Sequence, residues 1–392
     1  METLFAPLPP PLAARTCGDS LLNRFSPPSS LSLPLFFSAS VPSANVQAAR
    51  IPGFELHLVV GDREPVIVTT LDGLKDHCVP SAPAALLKAG VLALGLVALP
   101  PVTGALGGTP SSSFNGVIGI KKAFPTLAEQ LRDTLGSGLR VCTWSTLPQG
   151  SGMGTSSILA GAMLFAMAQA IGKPYADDAS LMHGVLVLEQ LLTTGGGWQD
   201  QVGGVMAGIK ITSSEASLPL RVMPATVEAA PATIDALSKR IVLVYTGRTR
   251  LARNLLQTVI RRWYERLPEI MVTTAALKTN AFAVADAVRA GDVAAVGACV
   301  TKYWAHKKAM AEGCEPAFCA KILAACEPLL HGASMAGAGG GGFMFLITKE
   351  PNMIPALREL LSKSGIPEAS DLTYHTGIID TEGLKVTVKA AS

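Results

Sequence analysis

The run LPQGSGMGTSSILAGAML, residues 147–164, most constrains what this chain can become. It follows GLRVCTWS, whose β-branched and aromatic residues read as a strand, and it leads into a segment apolar on every side, which reads as a buried helix. The order is strand, glycine turn, helix. A corner that only had to cap the helix needs one Ser or Thr. This one places Gly150, Gly152 and Gly154 and then Thr155, Ser156 and Ser157 at the same point. At a helix start the first backbone N–H groups lack partners and the macrodipole adds partial positive charge, so phosphate binds wherever the backbone can be approached. The glycines clear that approach, and the hydroxyls can reach phosphate oxygens or a magnesium ion. The corner is expected to hold a nucleotide.

Two common nucleotide signatures fail on spacing. A P-loop needs GxxxxGK[ST], but Thr155 stands where Gly150 would require the second glycine, Ser157 where Gly152 would, and no lysine follows. The dinucleotide fingerprint GxGxxG is met by Gly150 and Gly152 and missed at Thr155, with no acidic residue at a strand end about 20 residues on.

The pattern that fits is P-x-x-x-G-[LM]-G-[ST]-S, met by Pro148, Gly152, Met153, Gly154, Thr155 and Ser156. It resembles the second motif of the GHMP kinases, the superfamily of galactokinase, homoserine kinase, mevalonate kinase and phosphomevalonate kinase. GAGGGGF at 337–343 resembles the third motif of that superfamily. The resemblance implies that Pro148, Gly150, Gly152, Met153, Gly154, Thr155, Ser156 and Ser157 hold ATP, with Gly337, Gly339 and Gly340 beside them. It further implies that Ser156 and Glu189, in LVLEQLL, hold Mg²⁺, and that Asp200, in TGGGWQDQVGG, lies against the acceptor hydroxyl as base or as positioning group.

TGGGWQDQVGG, YTGRTRLARNLLQ, YWAHKKAMAEGCEP and AGAGGGGFMFLITKEP together resemble the kinase region of the L-fucokinases, from about residue 50 to the C-terminus. That resemblance implies ATP-dependent phosphorylation of the anomeric hydroxyl of L-fucose to L-fucose 1-phosphate. A heptose kinase is the alternative that WQDQ alone would suit. The implied fold is α+β: an N-terminal mixed α/β domain like ribosomal S5 domain 2 over 51–235 and a ferredoxin-like α+β domain over 236–392. Two domains also suit a chain of 392 residues.

Residues 1–50 are rich in proline and serine and are expected to be disordered or an alternative N-terminus, with regular structure beginning at Phe54. The family's first motif, resembling RVDxxGGWSDTPP, has no match in residues 1–53. The chain is therefore expected to be truncated there, and a nucleotide-binding chain of little activity stands as the second reading.

Other classes recede. Net charge is +3 from 32 basic and 29 acidic residues, without a long basic run, so nucleic acid is not an expected partner. Apolar runs at 89–99 and 158–168 are too short to span a bilayer, and METLFAPLPPPLAAR makes a poor secretory signal. Cys17, Cys78, Cys142, Cys299, Cys314, Cys319 and Cys326 form no CxxC pair, which suits reduced thiols and a cytoplasmic protein. Plain alternatives remain at single positions: Asp200 closing a glycine turn, Glu189 as a surface acid, Arg248 and Arg253 as solvated cations, and Trp198 as a core residue.

Overall fold

The computed structural model describes residues 38–39, 44–100, 124–147, 150–192, 196–215, 220–248 and 253–385. Strand β1 (Ser38–Ala39) pairs far away, with the last strand described. Next come β2 (Ala44–Ile51), β3 (Leu56–Val60), β4 (Val66–Val68), α1 (Ala85–Ala93), α2 (Leu127–Thr134), β5 (Gly138–Ser145), α3 (Thr155–Ala170), α4 (Asp178–Leu191) and α5 (Gln199–Val205). The strands form one sheet in the order β2-β5-β3-β4, with β5 antiparallel to β2 and parallel to β3. Alternate residues Leu56, Leu58, Leu139 and Val141 turn inward and share a core with Met163 and Leu164 of α3 and Val185 and Leu188 of α4. Thr126 and Glu129 close a reciprocal capping box on α2.

The second half runs β6 (Lys210–Ser214), β7 (Val222–Thr226), α6 (Pro231–Arg240), β8 (Ile241–Tyr245), α7 (Arg253–Tyr264), α8 (Pro268–Ala290), α9 (Val293–Met310), α10 (Ala317–Cys326), β9 (Leu330–Met335), β10 (Phe343–Thr348), α11 (Ile354–Ser362) and β11 (Thr373–Ile378). Its antiparallel sheet has the order β1-β11-β8-β10-β9, and β6 and β7 form a separate hairpin. The sheet is covered on both faces. Ile241, Leu243, Phe343 and Phe345 meet α8 and α9, while Val242, Val244, Met344 and Leu346 meet α10 and α11. That explains why IVLVY and FMFLIT read as unbroken apolar runs.

Several expectations need correction. Regular structure starts before Phe54, because β2 occupies Ala44–Ile51 and lies along the whole of β5. Residues 44–50 are thus part of the N-terminal sheet, not of a disordered leader. Ahead of the boundary expected after residue 235, Ile209, Ile211 and Val227 already belong to the second core. Helices α7 and α8 are separated where Arg266 adopts φ 53° before Pro268. LKVTVK falls mostly outside the described residues. No disulfide joins Cys314, Cys319 and Cys326, and no helix among the described residues is long and apolar enough to cross a membrane.

Candidate active site

The glycine corner is built as the spacing requires. Gly150, Gly152 and Gly154 all take positive φ, 75°, 80° and 65°, where a side chain would be strained. Gly154 is the N-cap of α3 and offers no side-chain oxygen. The first bond of the helix runs from the Ile158 N–H to the Gly154 carbonyl, leaving the N–H groups of Thr155, Ser156 and Ser157 without partners among the described residues. Gly152 and Ser156 are exposed, so the corner is open to a ligand. Ser151 is buried and shares a hydrogen bond with Thr155 at 3.2 Å. Pro148 lies outside the described residues.

The third glycine run shapes this corner from behind. A Cβ on Gly152 would stand 2.7 Å from the Ala336 carbonyl oxygen, and one on Gly337 would stand 2.9 Å from the Gly152 carbonyl oxygen. The Phe343 N–H donates to the Ser151 carbonyl at 3.0 Å, adding a direct tie. Gly339 and Gly340 serve differently from what their place among nucleotide-holding residues implies. The Gly339 N–H donates to Ala336 and the Gly340 N–H to Cys314, so neither amide is left to hold phosphate. They wedge the run against Trp304 and Cys314 instead.

Helix α5 brings Asp200 beside this corner. QDQVGGV has poor intrinsic helicity because of its two glycines, and the close approach of α3 explains them. A Cβ on Gly204 would lie 2.9 Å from the Ile158 side chain, and one on Gly161 would lie 3.1 Å from Val205. Asp200 is exposed to solvent, yet the protein around it strips away enough bulk water to push its pKa up. The nearby Lys307 ammonium, from α9, acts in the opposite direction.

Glu189, on α4, is 7% exposed and is not the surface acid of the plain alternative. The hydroxyl that donates to Glu189 Oε1 belongs to Ser157, not to Ser156, and the Gln201 amide donates to Oε2 at 2.6 Å. Successive helix residues diverge by about 100°, so Ser156 is exposed while Ser157 is buried at the contact of α3 with α4. Burial, with the charge of Asp200 added, pushes the Glu189 carboxyl up to about 7 despite its two donors.

Two neighbouring carboxylates, both held above their ordinary range, form an environment that a hard cation relieves. No group of three potential His, Cys, Asp or Glu ligands gathers among the described residues. An ion here would draw on phosphate oxygens and water for its remaining ligands, as Mg²⁺ does at nucleotide sites. The residues fit that group.

Trp198 is buried in the N-terminal core, as its plain alternative had it. Arg248 stacks on Phe318 at 4.6 Å and stands 4.0 Å from Glu368. The Arg253 side chain is outside the described residues. Gln201 and Lys307 escaped the sequence reading, and Ser157, expected to reach ATP, gives its hydroxyl to Glu189 instead. The third hydroxyl in TSS and the amide beside Asp200 in WQDQ were the available signals.

Two family models match in order: the GHMP kinases N terminal domain over residues 120–208 and the GHMP kinases C terminal model over 284–366. The chain belongs to the GHMP kinases. This GHMP kinase is 33% identical over 302 residues to the L-fucokinase/L-fucose-1-P guanylyltransferase of Bacteroides fragilis, covering 76% of the chain and 29% of the relative. It is 36% identical over 227 residues to the bifunctional fucokinase/GDP-fucose pyrophosphorylase of Arabidopsis thaliana, covering 58% of the chain and 21% of the relative. The matches thus span less than a third of either relative. Among solved structures, Lactococcus lactis galactokinase complexed with galactose superposes with a TM-score of 0.64 at 13% identity, over 93% of this chain and 90% of that one. The last likeness concerns the fold, which is the GHMP kinase fold.

Proposed function

We propose that this GHMP kinase transfers the terminal phosphoryl group of ATP to the anomeric hydroxyl of L-fucose. One observation carries the reading: Asp200 is open to a ligand on a helix packed against the corner whose amides stand free. A general base works best with its pKa raised toward the operating pH, and phosphoryl transfer otherwise asks mainly for positioning and charge neutralisation. In this reading the N–H groups from Gly152 to Ser157 hold the triphosphate, and Ser156 and Glu189 hold Mg²⁺. When bound, that ion neutralises the phosphate oxygens. Asp200 orients the acceptor hydroxyl or accepts its proton. The two relatives named for fucokinase activity support L-fucose as the acceptor.

The test is a coupled ADP assay on this chain with L-fucose, D-arabinose and a heptose phosphate as acceptors. L-fucose-dependent ADP release above the ATPase background is expected. Release with the heptose phosphate alone reassigns the acceptor. Nucleotide binding without release for any acceptor refutes the transfer and leaves a nucleotide-binding chain.

A further inference from the structure

Gln201 does something that neither the motif nor the fold accounts for. It is 1% exposed, and its amide nitrogen donates to Glu189 Oε2 at 2.6 Å. The orientation follows from chemistry, since turning the amide over would set its oxygen against a carboxylate oxygen. Oε1 is consequently left buried with no partner among the described residues. The bond to Glu189 accounts for the amide nitrogen, whereas the buried acceptor carries a cost that packing does not explain.

The placement adds a second point. Asp200 and Gln201 are consecutive on α5, so they leave the helix in different directions. Asp200 stays exposed, whereas Gln201 reaches the buried Glu189 on α4. Ser157 reaches the other oxygen of Glu189 from α3. Donors from α3 and α5 therefore meet on one carboxylate of α4, and the same short helix carries the group proposed to face the acceptor.

We propose that Gln201 is a positioning residue for the divalent cation, fixing the Glu189 carboxylate through its amide and offering Oε1 to a water that the ion carries. The inference rests on the reading of Ser156 and Glu189 as the residues that hold Mg²⁺. Mg²⁺ keeps several of its waters when bound, and such a water is a strong donor for a buried carbonyl. Partners that orient a metal ligand in this way typically govern a 10–100-fold range of metal affinity.

The experiment measures Mn²⁺ binding to the ADP complex of the whole chain by electron paramagnetic resonance, with Mn²⁺ as the probe. Gln201→Leu is expected to weaken Mn²⁺ binding about 10–100-fold, while metal-free ADP affinity stays constant. Gln201→Asn keeps an amide but withdraws it from Glu189, and the same loss is expected, so it serves if the leucine variant does not fold. Native Mn²⁺ affinity in either folded variant overturns the inference, as does a fall in melting temperature with Mn²⁺ affinity intact. No sugar enters the measurement. A native ADP complex that binds no Mn²⁺ overturns the metal assignment and this inference together. A chain that binds Mn²⁺ normally but releases no ADP with L-fucose overturns the acceptor alone.

Discussion

Replacing Gly152 by alanine separates the strain of a left-handed backbone from the interlock of the two glycine segments. Gly172, just beyond α3, supplies the control: its φ is 74° against 80° for Gly152, and a Cβ there would meet nothing within 4 Å. Either substitution should cost about 1–2 kcal/mol for placing an L-residue in that conformation. Only Gly152→Ala also drives its methyl to 2.7 Å from the Ala336 carbonyl oxygen. Restoring ordinary contact requires a retreat of roughly half an ångström, which is the tolerance within which a binding constellation works. A displacement of 1 Å costs about 100-fold in rate, so about tenfold in ATP affinity and turnover is expected from this one. Urea unfolding measures the first quantity, and nucleotide titration with steady-state turnover measures the second. Equal behaviour of the two variants in the functional assays would refute the claim that the third glycine run sets the shape of the phosphate corner.

Further outcomes follow from the same geometry. Asp200→Ala should lower turnover by about 10²–10⁴ with nucleotide affinity unchanged; unaltered turnover removes Asp200 from the chemistry. Glu189 is held at about 7 against an ordinary 4.5, so the folded chain keeps a proton that the unfolded chain releases. That contribution to stability is complete below pH 4.5 and disappears as pH rises through 7, amounting to roughly 3 kcal/mol. Metal-free melting curves should show the decline, and Glu189→Gln should flatten it; a slope that survives the substitution points elsewhere. Lys307 holds the Asp200 pKa down against the effect of lost water. Lys307→Met should therefore move the acid limb of kcat to higher pH, with Lys307→Arg restoring it, and an unmoved limb would dismiss the coupling. Gly204→Ala should press α5 away from Ile158 at a cost of about 1–3 kcal/mol, with turnover falling more than ATP affinity in parallel assays.

The strand, turn and helix around residues 138–170 were legible because β-branched and aromatic residues mark the strand, a long apolar run marks the helix and the glycines fall at the corner. The covered sheet of the second half was legible in IVLVY and FMFLIT for the same reason. Helix α5 was hidden because QDQVGGV carries the residues of a loop, and its helicity comes from contact with α3. The β6–β7 hairpin was hidden because Lys210, Thr212 and Ser214 are polar yet buried, which inverts the usual pattern. At the site, Asp200 and Glu189 were found through a motif. The contact of Ser157 with Glu189, and the parts of Gln201 and Lys307, arise between separate helices, and a linear pattern does not display those.

The close seating of Gly152 on Ala336 and Gly337 reaches beyond the site itself. Each half of the molecule is the mould in which the other half's loop is cast. The N-terminal half expressed by itself would lack that mould and should grip nucleotide poorly even where its own core remained sound. Change at either surface during divergence is likewise answerable to the other, so the two motifs are expected to vary as a matched pair.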